Sequence, residues 1–325
     1  MAKQCRGVKV RNMMTNKKLR VGITGAGVFG GYHAQKMMAH PQVDFVGIYD
    51  PVHPERAHAL AAQSGAKAVS SREELIQVAD SLIVASPASV HGRQALDALR
   101  HGLHVLVEKP LATDIETARE MVAVANRKNL VLQVGHQERF VAKAIGLFDI
   151  PETPTRISAK RTCGYSERGV DVSVTLDLMI HDLEMVTALL GVMPLTTQSS
   201  TQIGPSNGVD ETEVSLFYEN GLEVALLASR MAKTPTRTME IIYPSGTVHI
   251  DFLTKTLIHD TPFALNTQFG LDPAAADSLG ASDNAFVDAV LHGSPTPVSG
   301  IEGARALMLA LEADQEQTYA ADIAV

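Results

Sequence analysis

Leu19-Arg20-Val21-Gly22-Ile23-Thr24-Gly25-Ala26-Gly27-Val28-Phe29-Gly30 is the stretch that decides the fold. A short, mostly apolar run ends in Gly25-x-Gly27-x-x-Gly30, and the glycines open a helical stretch reaching to about residue 39. A second apolar run, 43–49, ends on an acid, Asp50. Strand, glycine turn, helix, strand and acid, in that order, are what a dinucleotide-binding βαβ unit requires. Gly25 allows the tight turn. Gly27 lets the backbone approach a pyrophosphate, which then rests on the free N–H groups at the helix start around Val28 and Phe29. Gly30 allows the helix to pack close to the strand. Asp50 is placed to accept hydrogen bonds from both ribose hydroxyls and would repel a 2′-phosphate, so the expected cofactor is NAD rather than NADP. Among 24 glycines such a triplet means little by itself. Its position between a strand and a helix gives it weight.

Outward from this unit the rhythm continues. Helical spacing over 54–64 is followed by Ser71, a candidate N-cap with Glu74 as its capping-box partner. Short apolar runs at 81–85, 104–107 and 130–134 alternate with helical stretches at 90–101 and 113–126. Runs that are apolar throughout suit strands buried on both faces. The alternation predicts a doubly wound parallel sheet, a Rossmann α/β domain over residues 19–135. After about residue 135 the pattern changes. A helix is expected at 174–190, then strand-like pieces at 195–202, 211–218, 222–228, 236–242, 247–252 and 256–259. Asn220-Gly221 and Pro244-Ser245-Gly246 mark hairpin turns between them. Two closing helices are expected at 282–291 and 301–318. Residues 136–325 therefore read as a second α/β domain with a largely antiparallel open sheet, and residues 1–18 as a basic, disordered arm.

The 325 residues suit two domains at roughly 100–200 residues each. A chain 45% hydrophobic and 20% charged is globular rather than collagenous, disordered or disulfide-built. No apolar run reaches the ~18 residues a membrane helix needs, so no membrane association is expected. The net charge is −8, and the first twenty residues carry seven of the 28 bases and none of the 36 acids. The body is thus more acidic still, which argues against a nucleic-acid partner. Two cysteines without metal spacing fit a reducing cytoplasm and predict no metal site.

Two further motifs carry chemistry. Glu108-Lys109-Pro110 directly follows the strand at 104–107, and sheets of this class place their sites at the carboxyl ends of strands. Lys109 then points at the crevice, where its charge lowers the pKa of a reacting hydroxyl. Pro110 allows a cis peptide bond. Asp177 and His181, four apart on a helix, share one face and suit the holding of a hydroxyl and the taking of its proton. Taken singly, a lysine at a strand exit and an Asp–His pair on a helix are ordinary surface features.

Together and in this order, the three motifs resemble the Gfo/Idh/MocA family of nicotinamide-dependent sugar and polyol oxidoreductases, over roughly residues 19–320. Ser86-Pro87 with His91 is similar to the family's loop beside the nicotinamide ribose. The resemblance implies that Gly25, Gly27, Val28, Phe29, Gly30, Asp50, Ser86, Pro87, His91, Glu108 and Lys109 bind cofactor. It implies that Lys109 and His181 move the proton and orient the hydroxyl while Asp177 binds substrate or tunes His181. Two segments depart from the common pattern: Gly135-His136-Gln137-Glu138-Arg139-Phe140, and Gly169 to Val174 before the helix. With Ala228-Ser229-Arg230, these are similar to the branch acting on the 3-hydroxyl of UDP-N-acetylglucosamine. The corresponding expectations are substrate contacts from His136, Arg139 and Arg168, and a homodimer or homotetramer through the second sheet. Arg139, Arg161 and Arg168 suit a diphosphate clamp, since a guanidinium pairs with phosphate bidentately, with scattered surface charges as the more usual reading of such arginines. An inositol or other free polyol dehydrogenase, and a non-catalytic NAD-binding regulator, remain as alternatives.

Overall fold

The computed structural model describes residues 18–315 apart from Arg168. The basic arm, the last residues of the expected 301–318 helix and Arg168 lie outside them.

The first sheet has six parallel strands: β1 (Leu19–Thr24), β2 (Val43–Tyr49), β3 (Lys67–Ala68), β4 (Ser81–Val84), β5 (His104–Val107) and β6 (Leu132–Val134). Their spatial order is β3-β2-β1-β4-β5-β6, so the direction of winding reverses between β1 and β4. That reversal creates the crevice in which such sheets bind ligands. Every side chain of β4 is buried, as a two-sided strand must be. The crossovers are α1 (Val28–Ala39), α2 (Pro54–Ala62), α3 (Arg72–Val78), α4 (His91–Arg100) and α5 (Ile115–Lys128). Ser71 caps α3 by accepting from Glu74 N, but the Glu74 carboxylate reaches the N–H and hydroxyl of Ser70 rather than closing a box on Ser71.

A helix that the sequence pattern did not separate, α6 (Glu138–Ile145), leads to a strand it did not show, β7 (Arg156–Thr162). The expected helix at 174–190 is in fact a π-helical turn, Thr175–Met179, running into α7 (Ile180–Leu190). Then come β8 (Thr196–Ile203), β9 (Val209–Phe217), β10 (Glu223–Ser229), β11 (Thr236–Tyr243), β12 (Gly246–Asp251) and β13 (Thr256–His259). This second sheet runs β13-β12-β11-β7-β10-β9-β8. Only β7 and β10 pair in parallel, and the other neighbours are antiparallel. Helices cover one face, and the opposite face carries Ser158, Lys160, Ala225, Leu227 and Glu240 partly or fully open.

The chain closes with α8 (Pro273–Ala276), α9 (Ser278–His292) and α10 (Gly300–Asp314). Ser299 and Glu302 form a complete capping box on α10. The helix α9 packs back on the first sheet, and its Phe286 and Val287 share a core with Val21, Ile23, Ile48 and Leu106. One side of the crevice is therefore braced from the far end of the sequence.

Candidate active site

A cavity of about 680 Å³ lies where the carboxyl ends of the first sheet face the π turn and the end of the second sheet. Beside it, reaching it through Phe29, lies the glycine loop, which is shaped by backbone. Gly25 has φ +94°, and a Cβ there would lie 2.4 Å from Ala85 O. A Cβ at Gly30 would lie 1.9 Å from Gly25 O, so both positions demand glycine. Gly27 differs: its Cβ would meet nothing within 4 Å. It caps α1 without a side-chain bond to the helix's first N–H groups. Open space in front of free helical N–H groups is what a bound pyrophosphate uses. Asp50 holds the same loop, accepting from Ala26 N at 2.7 Å, Val52 N at 2.9 Å and His53 N at 2.8 Å. Burial opposes its charge, but these N–H groups keep the carboxyl below its ordinary range. Phe29, Ser86 and Pro87 line the cavity. His91 reaches its edge but spends both ring nitrogens on backbone, 2.7 Å from Ser86 O and 2.8 Å from Pro110 O. It ties the loop after β4 to the Lys109–Pro110 turn, where the peptide bond is cis.

Across the cavity, Lys109 Nζ donates to Asp177 Oδ1 at 2.8 Å and to Asp177 O at 2.6 Å. Two of its three protons are thereby committed, and one is left for the cavity. The accepting residue sits inside the π turn, a distortion common at functional sites. Gly169, at φ +72°, makes room for it, since a Cβ there would stand 2.6 Å from Asp177 Oδ2. Arg230 anchors this loop by donating to Gly169 O at 2.5 Å and Val172 O at 2.9 Å.

His181 lines the cavity, and its Nδ1 is buried with no partner among the described residues. Its ring meets that of His136 edge to face, with centroids 5.9 Å apart. Burial, and then the charges of Lys109 and Arg161, drive His181 well below the ordinary histidine range. Burial and the Lys109 charge take His136 down to about 3. Both rings are neutral at pH 7. His136 has neither nitrogen bonded among the described residues and is not part of the cavity lining.

The arginines expected at a diphosphate are engaged elsewhere. Arg139 pairs with Glu184 and, at 3.0 Å, with Glu302, and its guanidinium covers the Phe148 ring. Arg161 is buried between Glu138 (2.6 Å) and Asp182 (2.7 Å). Neither lines the cavity. Both corrections have one cause: carboxylates distant in sequence neutralise these side chains inside the fold. Where Arg168 lies is not described.

The sequence reading missed His33. It is fully buried on α1, its Nδ1 2.8 Å from Asp283 Oδ1 and its Nε2 3.1 Å from Glu108 Oε1. Burial alone would make it neutral, but the two carboxylates outweigh that and raise it to about 10. The charge and hydrogen bond of His33 in turn hold Glu108 below the carboxylate range, against its burial. Gln137 Nε2 donates to the same Glu108 oxygen at 3.1 Å. One imidazolium thus joins the cofactor helix α1, the strand end carrying Lys109, and α9. The signal was available: Gly30, His33, Ala34 and Met37 are the buried stripe of α1. Arg237 and Lys255, also absent from the sequence reading, line the outer wall.

Comparison with known proteins now decides the family. Residues 19–136 match the model described as "Oxidoreductase family, NAD-binding Rossmann fold". The UDP-N-acetylglucosamine 3-dehydrogenase of Acidithiobacillus ferrooxidans is 31% identical over 304 residues, covering 90% of this chain and 96% of the relative. The chain belongs to the Gfo/Idh/MocA family of NAD-binding oxidoreductases. A solved structure of that dehydrogenase superposes with a TM-score of 0.81 at 30% identity, over 91% of this chain and 97% of the other. Among family members, the myo-inositol 2-dehydrogenase of Thermotoga maritima is 25% identical over 315 residues, 90% of this chain and 94% of its own. The WlbA dehydrogenase of Bordetella pertussis, solved with NADH and UDP-GlcNAcA, shares the fold with a TM-score of 0.81 at 18% identity, over 93% of this chain and 96% of that one. The chain is accordingly an oxidoreductase that uses a nicotinamide cofactor, and the open cradle at Gly27 fits NAD.

Proposed function

We propose that this protein oxidises a secondary hydroxyl of a nucleotide-linked sugar, with the 3-hydroxyl of UDP-N-acetylglucosamine as the reference substrate. The observation that carries the reading is the Lys109–Asp177 contact at 2.8 Å beside the neutral imidazole of His181. A non-catalytic NAD-binding protein has no need of an ammonium, a carboxylate and an imidazole turned to one cavity. The nucleotide-sugar class is supported by 31% identity to the Acidithiobacillus dehydrogenase across nearly all of both chains.

The residues divide the work. Bound NAD supplies the hydride acceptor at its nicotinamide. The Lys109 ammonium, fixed by Asp177, turns its remaining N–H towards the hydroxyl oxygen and stabilises negative charge developing there. His181, neutral at working pH, receives the hydroxyl proton. Its depressed basicity keeps it ready to accept, and the Lys109 charge makes the substrate more acidic in compensation. Residues 19–135 would act as the cofactor domain and 136–325 as the substrate domain. The open face of the second sheet, where Ala225 and Leu227 interrupt polar neighbours, is the expected surface for self-association in the cytoplasm.

NADH formation followed by absorbance, with NAD and a panel of UDP-hexosamines and free polyols, tests this reading. Turnover confined to UDP-hexosamines is expected. Turnover confined to free polyols would move the protein to the inositol dehydrogenase side of the family.

A further inference from the structure

The outer wall of the cavity carries two cations whose charge the fold does not use up. Arg237, at the start of β11, touches a carboxylate among the described residues only through Nη1 and Glu138 Oε1 at 3.4 Å. Glu138 is already held by both arms of Arg161, at 2.8 and 2.6 Å. The Arg237 side chain is 41% exposed and lines the cavity. Lys255 lies in the turn between β12 and β13. Among the described residues its ammonium makes one hydrogen bond, a long donation, 3.4 Å, to Ala275 O. Among the described residues no carboxylate pairs with its ammonium. Its backbone is left-handed, φ +54°, where glycine or asparagine is the usual occupant. The turn is braced by Asp251 Oδ1, which accepts from Leu253 N and Thr254 N, so the long side chain is not there to make the turn. A non-glycine residue kept in a strained conformation beside a cleft points to a function for its side chain. Arg237 and this turn are neighbours, because Phe252 N donates to Arg237 O at 2.9 Å.

We propose that Arg237 and Lys255 form the phosphate-ester subsite of the substrate half of the cavity. They receive the diphosphate of a sugar nucleotide while the sugar ring reaches Lys109, Asp177 and His181. A guanidinium grips two phosphate oxygens at once, and an ammonium adds a point charge. This assignment rests on the nucleotide-sugar reading and replaces Arg139 and Arg161 in the anion-binding role.

The test uses the whole protein with saturating NADH. Binding of UDP and of N-acetylglucosamine 1-phosphate is titrated by calorimetry for the unaltered chain, Arg237→Gln and Lys255→Asn. Asparagine is chosen because it tolerates the left-handed turn. KM and kcat for UDP-N-acetylglucosamine, and KM for NAD, are measured alongside. Each substitution should weaken UDP about tenfold, as expected for one charged contact, with the loss falling on the sugar-nucleotide KM rather than on kcat or the NAD KM. Turnover of the sugar nucleotide with UDP binding unaltered in both variants would overturn the subsite and leave the dehydrogenase reading intact. Sugar-phosphate binding that both variants lose, without UDP binding or UDP-sugar turnover, would keep the subsite and overturn the nucleotide reading. A raised NAD KM with unaltered UDP binding, or no binding of either probe, would overturn the subsite.

Discussion

His33 and His136 are both buried, and His181 is half-buried at the cavity wall, yet His33 is protonated where the other two are neutral. His33 lies between Glu108 and Asp283 and stays protonated to about pH 10. His136 and His181 face the Lys109 ammonium and stay neutral, His136 down to about pH 3. Desolvation acts on all three in the same direction, against the cation. The difference is made by which ion stands next to the ring. The crevice thus has a structural imidazolium behind Lys109 and neutral rings in front of it.

Four changes would break or sharpen this comparison. The largest effect is expected from Lys109→Ala, which removes the ion that separates the two regions. Turnover should fall by about 10³-fold, within the range typical of acid–base groups, while NAD affinity measured by calorimetry changes little. Retained turnover would dissolve the role assigned to the front of the crevice. Next is His33→Leu, which leaves Glu108 and Asp283 buried without a counter-charge. Urea unfolding should show a loss of roughly 3–5 kcal/mol, the usual cost of breaking a buried pair. His33→Gln, which keeps hydrogen bonding, should lose less. Asp50→Ala probes the backbone-shaped wall, with an expected rise of about tenfold in the NAD KM and improved relative use of NADP, since the loop at Ala26 loses a charged acceptor. An unaltered coenzyme preference would remove Asp50 from the discrimination.

The pH dependence of stability should have opposite signs from the two regions. The folded-state pKa of His33 is raised, so its contribution is complete below its ordinary value of 6.5 and is lost as pH rises towards 10. His136 is depressed, so the unfolded chain binds the extra proton and stability is lost as pH falls from 6.5 towards 3. Thermal unfolding across pH should show His33→Gln flattening the alkaline decline only.

How much of this was legible in the sequence follows from the same physics. The parallel sheet could be read because strands buried on both faces are nearly uniform apolar runs, as β4 is. The strand β7 could not. It reads Arg-Ile-Ser-Ala-Lys-Arg-Thr, with three bases in seven residues, and its inward Arg161 is tolerated only through Glu138 and Asp182, 23 and 21 positions away. Lys109, Asp177 and His181 could be picked out because each sits at an element end or spacing with a local signature. The structure brings them together at the cavity, but on a π turn that helical periodicity does not reveal. Arg139 and Arg161 read as free cations because their carboxylates are remote in sequence. His33 was overlooked for the converse reason: on the stripe of Gly30, Ala34 and Met37 it looks like packing, and Asp283 stands 250 residues further on.

The most direct test is the protonation state of the three rings. Side-chain ¹⁵N–¹H correlation spectra of the histidine-labelled protein, assigned with His33→Gln, His136→Asn and His181→Asn, would follow each ring from pH 5 to 9. The expected result is a doubly protonated His33 and neutral His136 and His181 across the whole range. A neutral His33, or a His181 that titrates near its ordinary value, would contradict the division of charge on which this reading of the crevice rests.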